Sequence, residues 1–319
     1  MTNASVREKF FYLESSNQFK FSAKSYYPEQ DNPRAIIQIV HGMTEHMGRY
    51  HDFARYMASQ GIAVYLHDHP GHGQDALREN RLGVIPWKRG WQVMLENTRA
   101  LYTHIRKTRP EIPLFLLGHS MGSVLARHFM AVYPVYLKGL ILSGPADLPS
   151  WQLNILRTIT RLQGIFAAPH RKSKWFNRLF YHNFNRHFKE RPTRFEWITS
   201  QREEADAYNN DPLCGFDCSV SFYNNIFKGM AAMKKTQHNL KYRKTLPLLI
   251  ISGQQDPVGN WGKEAIKIHQ DFYKQNFHYL TVKIFNGRHE LLHESIKQQV
   301  YEYLANWMDE CLTKKKIVQ

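Results

Sequence analysis

The sequence has few cysteines, few acidic residues for its many basic ones, and no long apolar run. Three cysteines among 319 residues, Cys214, Cys218 and Cys311, are too few and odd in number for a disulfide framework. Apolar stretches such as residues 246–252 end far short of the about 18 residues that cross a bilayer. Residues 1–11 are charged and lack the apolar centre of a signal peptide. We therefore expect a cytoplasmic protein with ordinary thiols, and leave peripheral membrane attachment open.

The shortage of acids leaves a basic chain, with 43 Lys and Arg against 27 Asp and Glu and a formal net charge of +16. A hydrophobic content of 43% excludes a disordered polybasic chain. Residues 148–243 hold 16 basic and 7 acidic residues, a net charge of +9, with aromatic residues interleaved. Nucleic-acid binders share this pattern. However, no recognisable nucleic-acid module accompanies it, so we expect no nucleic-acid partner.

The order of apolar patterns predicts the fold class. The continuously apolar, β-branched run at 36–41 predicts a strand buried on both faces, and further strands are predicted at 62–67, 114–117, 137–142, 246–252 and 279–285. Helical spacing predicts helices at 45–60, 91–108, 121–133, 263–274 and 294–311. This alternation is typical of an α/β protein with a mostly parallel central sheet and helices on both faces. Residues 10–13 and 19–27 are expected to form a leading antiparallel pair.

The alternation is interrupted between residues 148 and 243, where no β-rich run occurs. We therefore expect a core of residues 1–147 and 244–319 with an inserted helical cap, or lid, of residues 148–243. Within this segment one stripe at helical spacing contains Trp151, Ile155, Ile159, Leu162 and Phe166. Such a stripe suits a lipid interface, but we favour a cap helix that buries it over the core.

The sharpest motif is Gly118-His-Ser-Met-Gly122, a G-x-S-x-G between a predicted strand and a predicted helix. A serine hydroxyl is a weak nucleophile, and this sharp turn exposes its oxygen to a base next to a helix N-terminus. Ser120 is therefore the predicted nucleophile. The second oxyanion donor of such a site comes from the loop after an early strand. We accordingly predict the backbone amides of Met121 and Met43 as the oxyanion hole.

A serine nucleophile of this type needs an acid and then a histidine later in the chain. Asp256 follows the strand predicted at 246–252, and His289 follows the last predicted strand. His289 would act as general base, and Asp256 would orient its imidazole ring. Asp147, after the strand predicted at 137–142, is the rival acid; it ranks second because Asp256 follows the later strand in a longer loop-like context, and because of the resemblance given below.

These residues resemble the α/β-hydrolase superfamily, in the branch of monoacylglycerol lipases and lysophospholipases grouped with serine aminopeptidase-like hydrolases. Seven motifs carry the resemblance: HGMTEH from His41, GRY from Gly48, HDHPGHG from His67, GHSMG from Gly118, NDPL from Asn210, GQQDP from Gly253 and GRHE from Gly287. The resemblance extends from about residue 36 to about residue 310, nearly the whole chain. The resemblance implies Ser120, Asp256 and His289 as the triad and Met43 and Met121 as the oxyanion amides. It also implies that His67-Asp-His69 and His72 form a structural turn and hold no metal.

The sequence thus predicts a cofactor-independent serine hydrolase that cleaves carboxylic esters of monoacyl lipids, either monoacylglycerols or lysophospholipids. We expect no metal, and no phosphate-binding loop is visible. The basic cap adds the expectation of peripheral contact with an anionic membrane. A short-chain carboxylesterase, a thioesterase or a peptidase of the same fold stays open, as does a non-catalytic basic adaptor for membranes or nucleic acid.

Overall fold

The computed structural model describes residues 6–16, 18–190, 192–237 and 244–313. Residues 238–243 of the predicted cap and 314–319 of the predicted core lie outside the described residues. The strands are β1 (Val6–Glu14), β2 (Lys20–Pro28), β3 (Ala35–Val40), β4 (Ile62–His67), β5 (Leu114–His119), β6 (Gly139–Ser143), β7 (Leu248–Gly253) and β8 (Leu280–Phe285). The helices are α1 (His51–Ser59), α2 (Gly73–Arg78), α3 (Gly90–Thr108), α4 (Met121–Val132), α5 (Ser150–Phe166), α6 (Lys174–Asn185), α7 (Arg202–Asn210), α8 (Val220–Gln237), α9 (Lys263–Lys274) and α10 (Lys297–Thr313).

The eight strands form one sheet in the order β1-β2-β4-β3-β5-β6-β7-β8. β1 pairs with β2, and β2 with β4, in antiparallel register; all other pairs are parallel. The predicted mostly parallel sheet and its leading antiparallel pair are confirmed. The helix predicted from residue 45 begins only at His51, because residues 47–50 form a 3-10 turn that the His46 side chain caps by accepting from Gly48 N–H.

Helices cover both faces of the sheet, which explains why β3, β4, β5 and β7 are buried along their whole length. One face packs against α1 and α10, as in the cluster of Ile37, Phe53 and Leu304. The other packs against α3, α4 and α9, as in the cluster of Leu116, Val124 and Ile268. Strands buried on both sides need apolar residues at successive positions rather than at alternating ones.

The parallel strands β3, β5, β6, β7 and β8 all point the same way, so their carboxyl ends meet at one edge of the sheet. The loops that leave this edge carry Met43, Ser120, Asp147, Asp256 and His289. Ligands of open α/β sheets bind in the crevice outside this edge. The topology therefore brings together side chains that are far apart in the sequence.

The segment between β6 and β7 forms the helices α5 to α8, and its described residues add only one isolated bridge, between Lys172 and Ser219. α8 packs against α3, α4 and α5. A small separate cluster of Tyr181, Phe195, Trp197 and Tyr208 holds α6 and α7 together. This part of the chain therefore has apolar packing of its own beside the packing of the sheet.

The expected burial of the stripe on α5 is wrong. Trp151, Ile155, Leu162 and Phe166 are exposed, and Ile159 is half-buried. The helix is held instead through its opposite face, where Leu153 and Thr160 are buried. None of the described helices combines the length and the apolar character that crossing a bilayer requires.

Candidate active site

Ser120 lies in a strained turn between β5 and α4. Its φ is 51° and its ψ is −117°, a left-handed conformation that side chains rarely adopt and that concentrates at functional sites. The turn is held by hydrogen bonds: Ser120 N–H donates to the carbonyl of Ser143 at 2.9 Å, and the Ser123 hydroxyl donates to the carbonyl of Ser120 at 2.6 Å. A Cβ at Gly122 would lie 2.0 Å from the Val40 carbonyl oxygen, so only glycine fits there.

His289 and Asp256 form a buried hydrogen-bonded pair. His289 Nδ1 lies 2.9 Å from Asp256 Oδ2, and both side chains are almost completely shielded from solvent. The other carboxylate oxygen of Asp256 accepts from Val258 N–H at 2.9 Å, which fixes the carboxylate. A carboxylate only accepts, so Nδ1 carries the proton and Nε2 is the basic nitrogen of the neutral ring.

Asp147, the rival acid, has different partners. Its Oδ2 lies 2.7 Å from Lys234 Nζ and 3.6 Å from Lys267 Nζ. Its Oδ1 accepts from Leu148 N–H at 2.9 Å. These contacts occupy both oxygens of the Asp147 carboxylate, whereas the hydrogen bond to His289 belongs to Asp256.

The loop after β3 lies against Ser120. A Cβ at Gly42 would come within 3.2 Å of Ser120 Cβ, so the close approach of the loop requires glycine. Gly42 N–H donates to Glu45 Oε1, and Thr44 N–H donates to His72 Nε2 at 3.3 Å. The Met43 amide lies between these two engaged amides. Met43 and Met121 both border the cavity that contains Ser120.

Two acids that sequence reasoning missed, Glu45 and Glu290, are also buried beside this cavity. Burial, with a contribution from the charge of Glu290, raises the pKa of Glu45 to about 8. Burial alone would raise the pKa of Glu290, but Arg49 and His293 hold it well below its usual range. Arg49 Nη2 lies 2.6 Å from Glu290 Oε2. Glu45 belongs to the motif HGMTEH and Glu290 to the motif GRHE. Their place beside predicted loops of the site is the sequence feature that could have identified them.

Five histidines near the site are buried and neutral. Burial lowers the pKa of His119 to about 3, and the neighbouring His289 lowers it further. Burial likewise lowers the pKa of His67 to about 3 and of His72 to about 4, and those of His41 and His69 fall well below the usual range. Neutral rings pack on one another, as His41 and His69 do with centroids 4.2 Å apart.

The described residues bring one set of metal-ligand atoms together, those of His46, Asp211 and Cys214, within 4.8 Å of one another. His46 Nε2 is hydrogen-bonded to Asp211 Oδ2 at 2.9 Å. Burial raises the pKa of the Cys214 thiol above its usual range. The Cys214 thiol also lies 3.6 Å from Asp211 Oδ2. The hydrogen bond between His46 and Asp211 links the loop after β3 to the end of α7.

A cavity of about 510 Å³ opens over these groups. Its floor contains Ser120, His119 and His289, together with Met43 and Met121. Its walls come mainly from the segment between β6 and β7 and are largely apolar: Leu148, Pro149, Phe180, Phe184, Trp197, Tyr223, Ile226, Phe227 and Met230. The arrangement suits a small ligand with an apolar part, held next to a serine, a histidine and an acid.

Comparison with known proteins places this chain in a family. The model of the serine aminopeptidase S33 family matches residues 31–296. Mouse monoglyceride lipase is 27% identical over 275 residues, which cover 86% of this chain and 80% of the mouse protein. The crystal structure of a thermostable carboxyl esterase from Bacillus coagulans, in complex with glycerol, superimposes with a TM-score of 0.86 at 24% identity, over 96% of this chain and 99% of the esterase.

A second solved structure, a soluble variant of monoglyceride lipase from Saccharomyces cerevisiae with a substrate analog, superimposes with a TM-score of 0.74 at 18% identity. It covers 98% of this chain and 99% of the yeast chain. These superpositions show the α/β-hydrolase fold, as the sequence predicted. The chain belongs to the serine aminopeptidase S33 family of hydrolases. It is an enzyme, an ester hydrolase of the monoglyceride-lipase-like branch, as the motifs indicated.

Proposed function

We propose that this protein cleaves carboxylic esters of monoacyl lipids, monoacylglycerols or lysophospholipids, through an acyl-enzyme formed on Ser120. The observation that carries the proposal is the 2.9 Å hydrogen bond between His289 and Asp256 beside the cavity that contains Ser120. The similarity to mouse monoglyceride lipase supports the lipid class of the substrate.

In the first step Ser120 Oγ attacks the ester carbonyl carbon while His289 Nε2 accepts the hydroxyl proton. Asp256 stabilises the resulting imidazolium, and the amides of Met43 and Met121 donate to the oxyanion. Collapse of the intermediate breaks the bond to the alcohol oxygen, which takes the proton from His289. Water then repeats the sequence on the acyl-enzyme and releases the fatty acid, so protons and bonds balance over the cycle.

The strained backbone of Ser120 supports its assignment as the nucleophile. A φ of 51° at a residue other than glycine costs about 1–3 kcal/mol and is retained where the conformation serves a function. The turn starts α4, whose N-terminal end favours negative charge near Met121 N–H. The same turn thus presents the hydroxyl and one of the two oxyanion donors.

Residues 148–243 act in this proposal as the cap over Ser120. Phe180 and Phe184 from α6, with Phe227 and Met230 from α8, give the cavity an apolar wall suited to one acyl chain. Polar groups at the same cavity, Gln152, Asn183 and Asn260, are available to a glycerol or phosphate ester head group. The basic surface of this segment supports contact with an anionic membrane. Nucleic acid has no place in the proposal.

A substrate panel tests the substrate class. Monoacylglycerol, lysophospholipid, short-chain ester, thioester and aminoacyl amide substrates are compared for the wild type and Ser120→Ala, with a diacyl lipid as control. We expect kcat/KM to be largest for a monoacyl ester with a long chain and to vanish in Ser120→Ala. A preference for the amide would indicate a peptidase, and a preference for acetyl or butyryl esters a short-chain esterase; each would contradict the lipid assignment.

A further inference from the structure

Thr44, in the loop after β3, has a backbone conformation that few residues of its kind adopt. Its φ is 55°, in the left-handed region that favours glycine, and its side chain is buried. For a residue branched at Cβ this conformation is an outlier, and it persists only where the surroundings hold it. Thr44 directly follows Met43, whose backbone amide belongs to the oxyanion hole in the proposed function. The contacts that hold Thr44 therefore also fix the backbone next to that amide.

The polar groups of Thr44 all have partners. Its N–H donates to His72 Nε2 at 3.3 Å. Its carbonyl oxygen accepts from the Tyr208 hydroxyl at 2.7 Å and from Gly215 N–H at 2.9 Å. The Tyr208 hydroxyl has one proton, which goes to this carbonyl, so it accepts from the Thr44 hydroxyl at 3.1 Å. These contacts fix the backbone on both sides of Thr44 and its side chain as well.

The contact with His72 agrees with the tautomer of that ring. His72 Nδ1 lies 3.0 Å from the carbonyl oxygen of Pro70, which only accepts, so Nδ1 carries the proton. Burial lowers the pKa of His72 to about 4, so the ring is neutral near pH 7. His72 Nε2 is therefore an acceptor, as the Thr44 N–H requires.

Two of the partners of Thr44 belong to the segment between β6 and β7. Tyr208 lies in the last turn of α7 and is buried, and Gly215 lies in the loop that follows α7. A further contact from the end of α7, 2.9 Å between Asp211 Oδ2 and His46 Nε2, reaches the loop two residues beyond Thr44. The end of α7 thus holds the loop after β3 at two points.

The Met43 N–H is available to a ligand. Among the residues that the structure describes it donates to no group, whereas Gly42 N–H donates to Glu45 and Thr44 N–H to His72. Peptide units are planar, so a unit between two anchored neighbours has little freedom to turn. An oxyanion donor stabilises the transition state most when it is held in place before the reaction. The loop therefore keeps the Met43 amide unpaired and fixed.

From this geometry we propose that Thr44 is a positioning residue, through which α7 holds the Met43 amide in the orientation that an oxyanion requires. Thr44 does not line the Ser120 cavity, so it acts through the loop and not by contact with the substrate. The inference rests on the proposed function, because it takes the Met43 amide as an oxyanion donor. It adds that the segment between β6 and β7 contributes to the chemistry as well as to the cavity wall.

Thr44→Val tests this role, because valine has the same shape and the same branched Cβ but no hydroxyl. We expect kcat for a soluble short-chain ester to fall about 10-fold to 100-fold, with KM within about twofold of wild type. A trifluoromethyl ketone, which forms a tetrahedral adduct with a serine, should bind more weakly by the same factor. Thr44→Ser keeps the hydroxyl and should restore kcat to within about threefold of wild type. Thr98→Val, at a buried threonine of α3, is the matched control and should not change kcat.

Tyr208→Phe removes the same contact from its other side. It should also lower kcat, because the Thr44 carbonyl loses a donor and the Thr44 hydroxyl loses its acceptor. Thr44→Val/Tyr208→Phe should have about the kcat of Tyr208→Phe alone, because the two side chains act through one contact. Tyr26→Phe removes a buried hydroxyl that contacts His51 and should leave kcat unchanged.

Four results would overturn the inference. Wild-type kcat in Thr44→Val, whatever its midpoint of urea unfolding, would show that the contact serves the fold alone. A rise in KM with unchanged kcat would indicate a contact with the substrate. Losses that multiply in the double variant would show that Tyr208 acts independently of Thr44. Turnover that persists in Ser120→Ala would remove the proposed function and the inference with it, whereas turnover that is lost in Ser120→Ala but normal in Thr44→Val would remove the positioning role alone.

Discussion

The loops at the carboxyl edge of the sheet and the outer surface of α5 and α6 differ in whether their charged and polar side chains are buried and paired. At the sheet edge, Asp256 and His289 are buried and paired with each other. On the outer surface of α5 and α6, the basic residues form no salt bridge with any residue that the structure describes, and large apolar side chains are exposed. At the sheet edge, buried hydrogen bonds fix the positions of the side chains. On the outer surface of α5 and α6, the side chains contact solvent.

This difference indicates which part of the molecule depends on exact side-chain positions. Chemistry at a serine needs hydrogen bonds of fixed length, so the sheet edge tolerates little change. The exposed side chains on the outer surface of α5 contact solvent, so their replacement removes little packing. Substitutions at the sheet edge should therefore have large effects on turnover and on the free energy of unfolding. Substitutions on the outer surface of α5 should have small effects on both.

The largest effect separates two acids at the sheet edge. Asp256→Asn should lower kcat about 10⁴-fold, because the amide no longer holds the His289 tautomer that leaves Nε2 basic. Asp147→Asn should retain most of the activity, because Asp147 contacts Lys234 and Lys267 instead. Steady-state kinetics on one monoacyl ester measures kcat for both variants. A severe loss of kcat confined to Asp147→Asn would show that Asp147, rather than Asp256, is the acid of the triad.

A buried ion pair gives the next largest effect. Arg49→Met should lower the free energy of unfolding by about 3–5 kcal/mol, because it leaves the buried Glu290 carboxylate without its cation. Arg55→Met is the matched control, since the pair of Arg55 with Glu8 is partly exposed. Urea unfolding should show a far smaller loss for the control. Equal losses of unfolding free energy in the two variants would mean that the buried Arg49–Glu290 pair stabilises the fold no more than the partly exposed Arg55–Glu8 pair does.

The buried histidines predict how stability depends on pH. Burial lowers the pKa of His67 to about 3, so between that pH and its unfolded value near 6.5 the unfolded chain binds one more proton. This contribution to stability is present above pH 6.5 and is lost as the pH falls through it, by about 1.4 kcal/mol between pH 7.5 and 5.5.

His67→Leu tests this contribution. Neither ring nitrogen of His67 has a hydrogen-bond partner among the described residues, so leucine removes the proton uptake without breaking a hydrogen bond. Urea unfolding at pH 7.5 and 5.5 should show a smaller decrease for the variant than for wild type. The same decrease in both proteins would mean that His67 does not titrate between the two states.

The smallest effect concerns the exposed apolar side chains of α5. Ile165→Ser/Phe166→Ser should change the free energy of unfolding by no more than about 0.5 kcal/mol per site, because both side chains already contact solvent. The control is Leu153→Ala on the buried face of the same helix, which should cost about 2–5 kcal/mol. Thermal or urea unfolding measures both, and a comparable loss in the two variants would show that the exposed side chains pack against the protein.

Local patterns predicted the sheet well, because strands buried on both faces have continuous apolar runs; β4 and α9 were predicted to the residue. The positions of Ser120, Asp256 and His289 at strand ends follow from the same order of elements. The sequence did not predict the 3-10 turn before α1, because the turn is marked only by a capping contact between the His46 side chain and Gly48 N–H, two positions along the chain.

Two features that depend on long-range packing could not be predicted from the sequence. The stripe on α5 has the spacing of a buried face, and periodicity alone does not say which side of an amphipathic helix meets the core. The Arg49–Glu290 pair joins residues 241 positions apart, which only the folded chain brings together. Charge composition did locate the basic segment 148–243, because an excess of 16 basic over 7 acidic residues is read from the sequence without knowledge of the fold.

The most direct test of the account is covalent labelling with a fluorophosphonate probe, followed by peptide mass spectrometry. Wild type should carry one adduct, on Ser120, and an excess of a long-chain monoacylglycerol should slow its formation. Ser120→Ala should carry none, and His289→Ala should react far more slowly because the hydroxyl lacks its base. Labelling that persists in Ser120→Ala, or that falls on another residue of the wild type, would contradict the account.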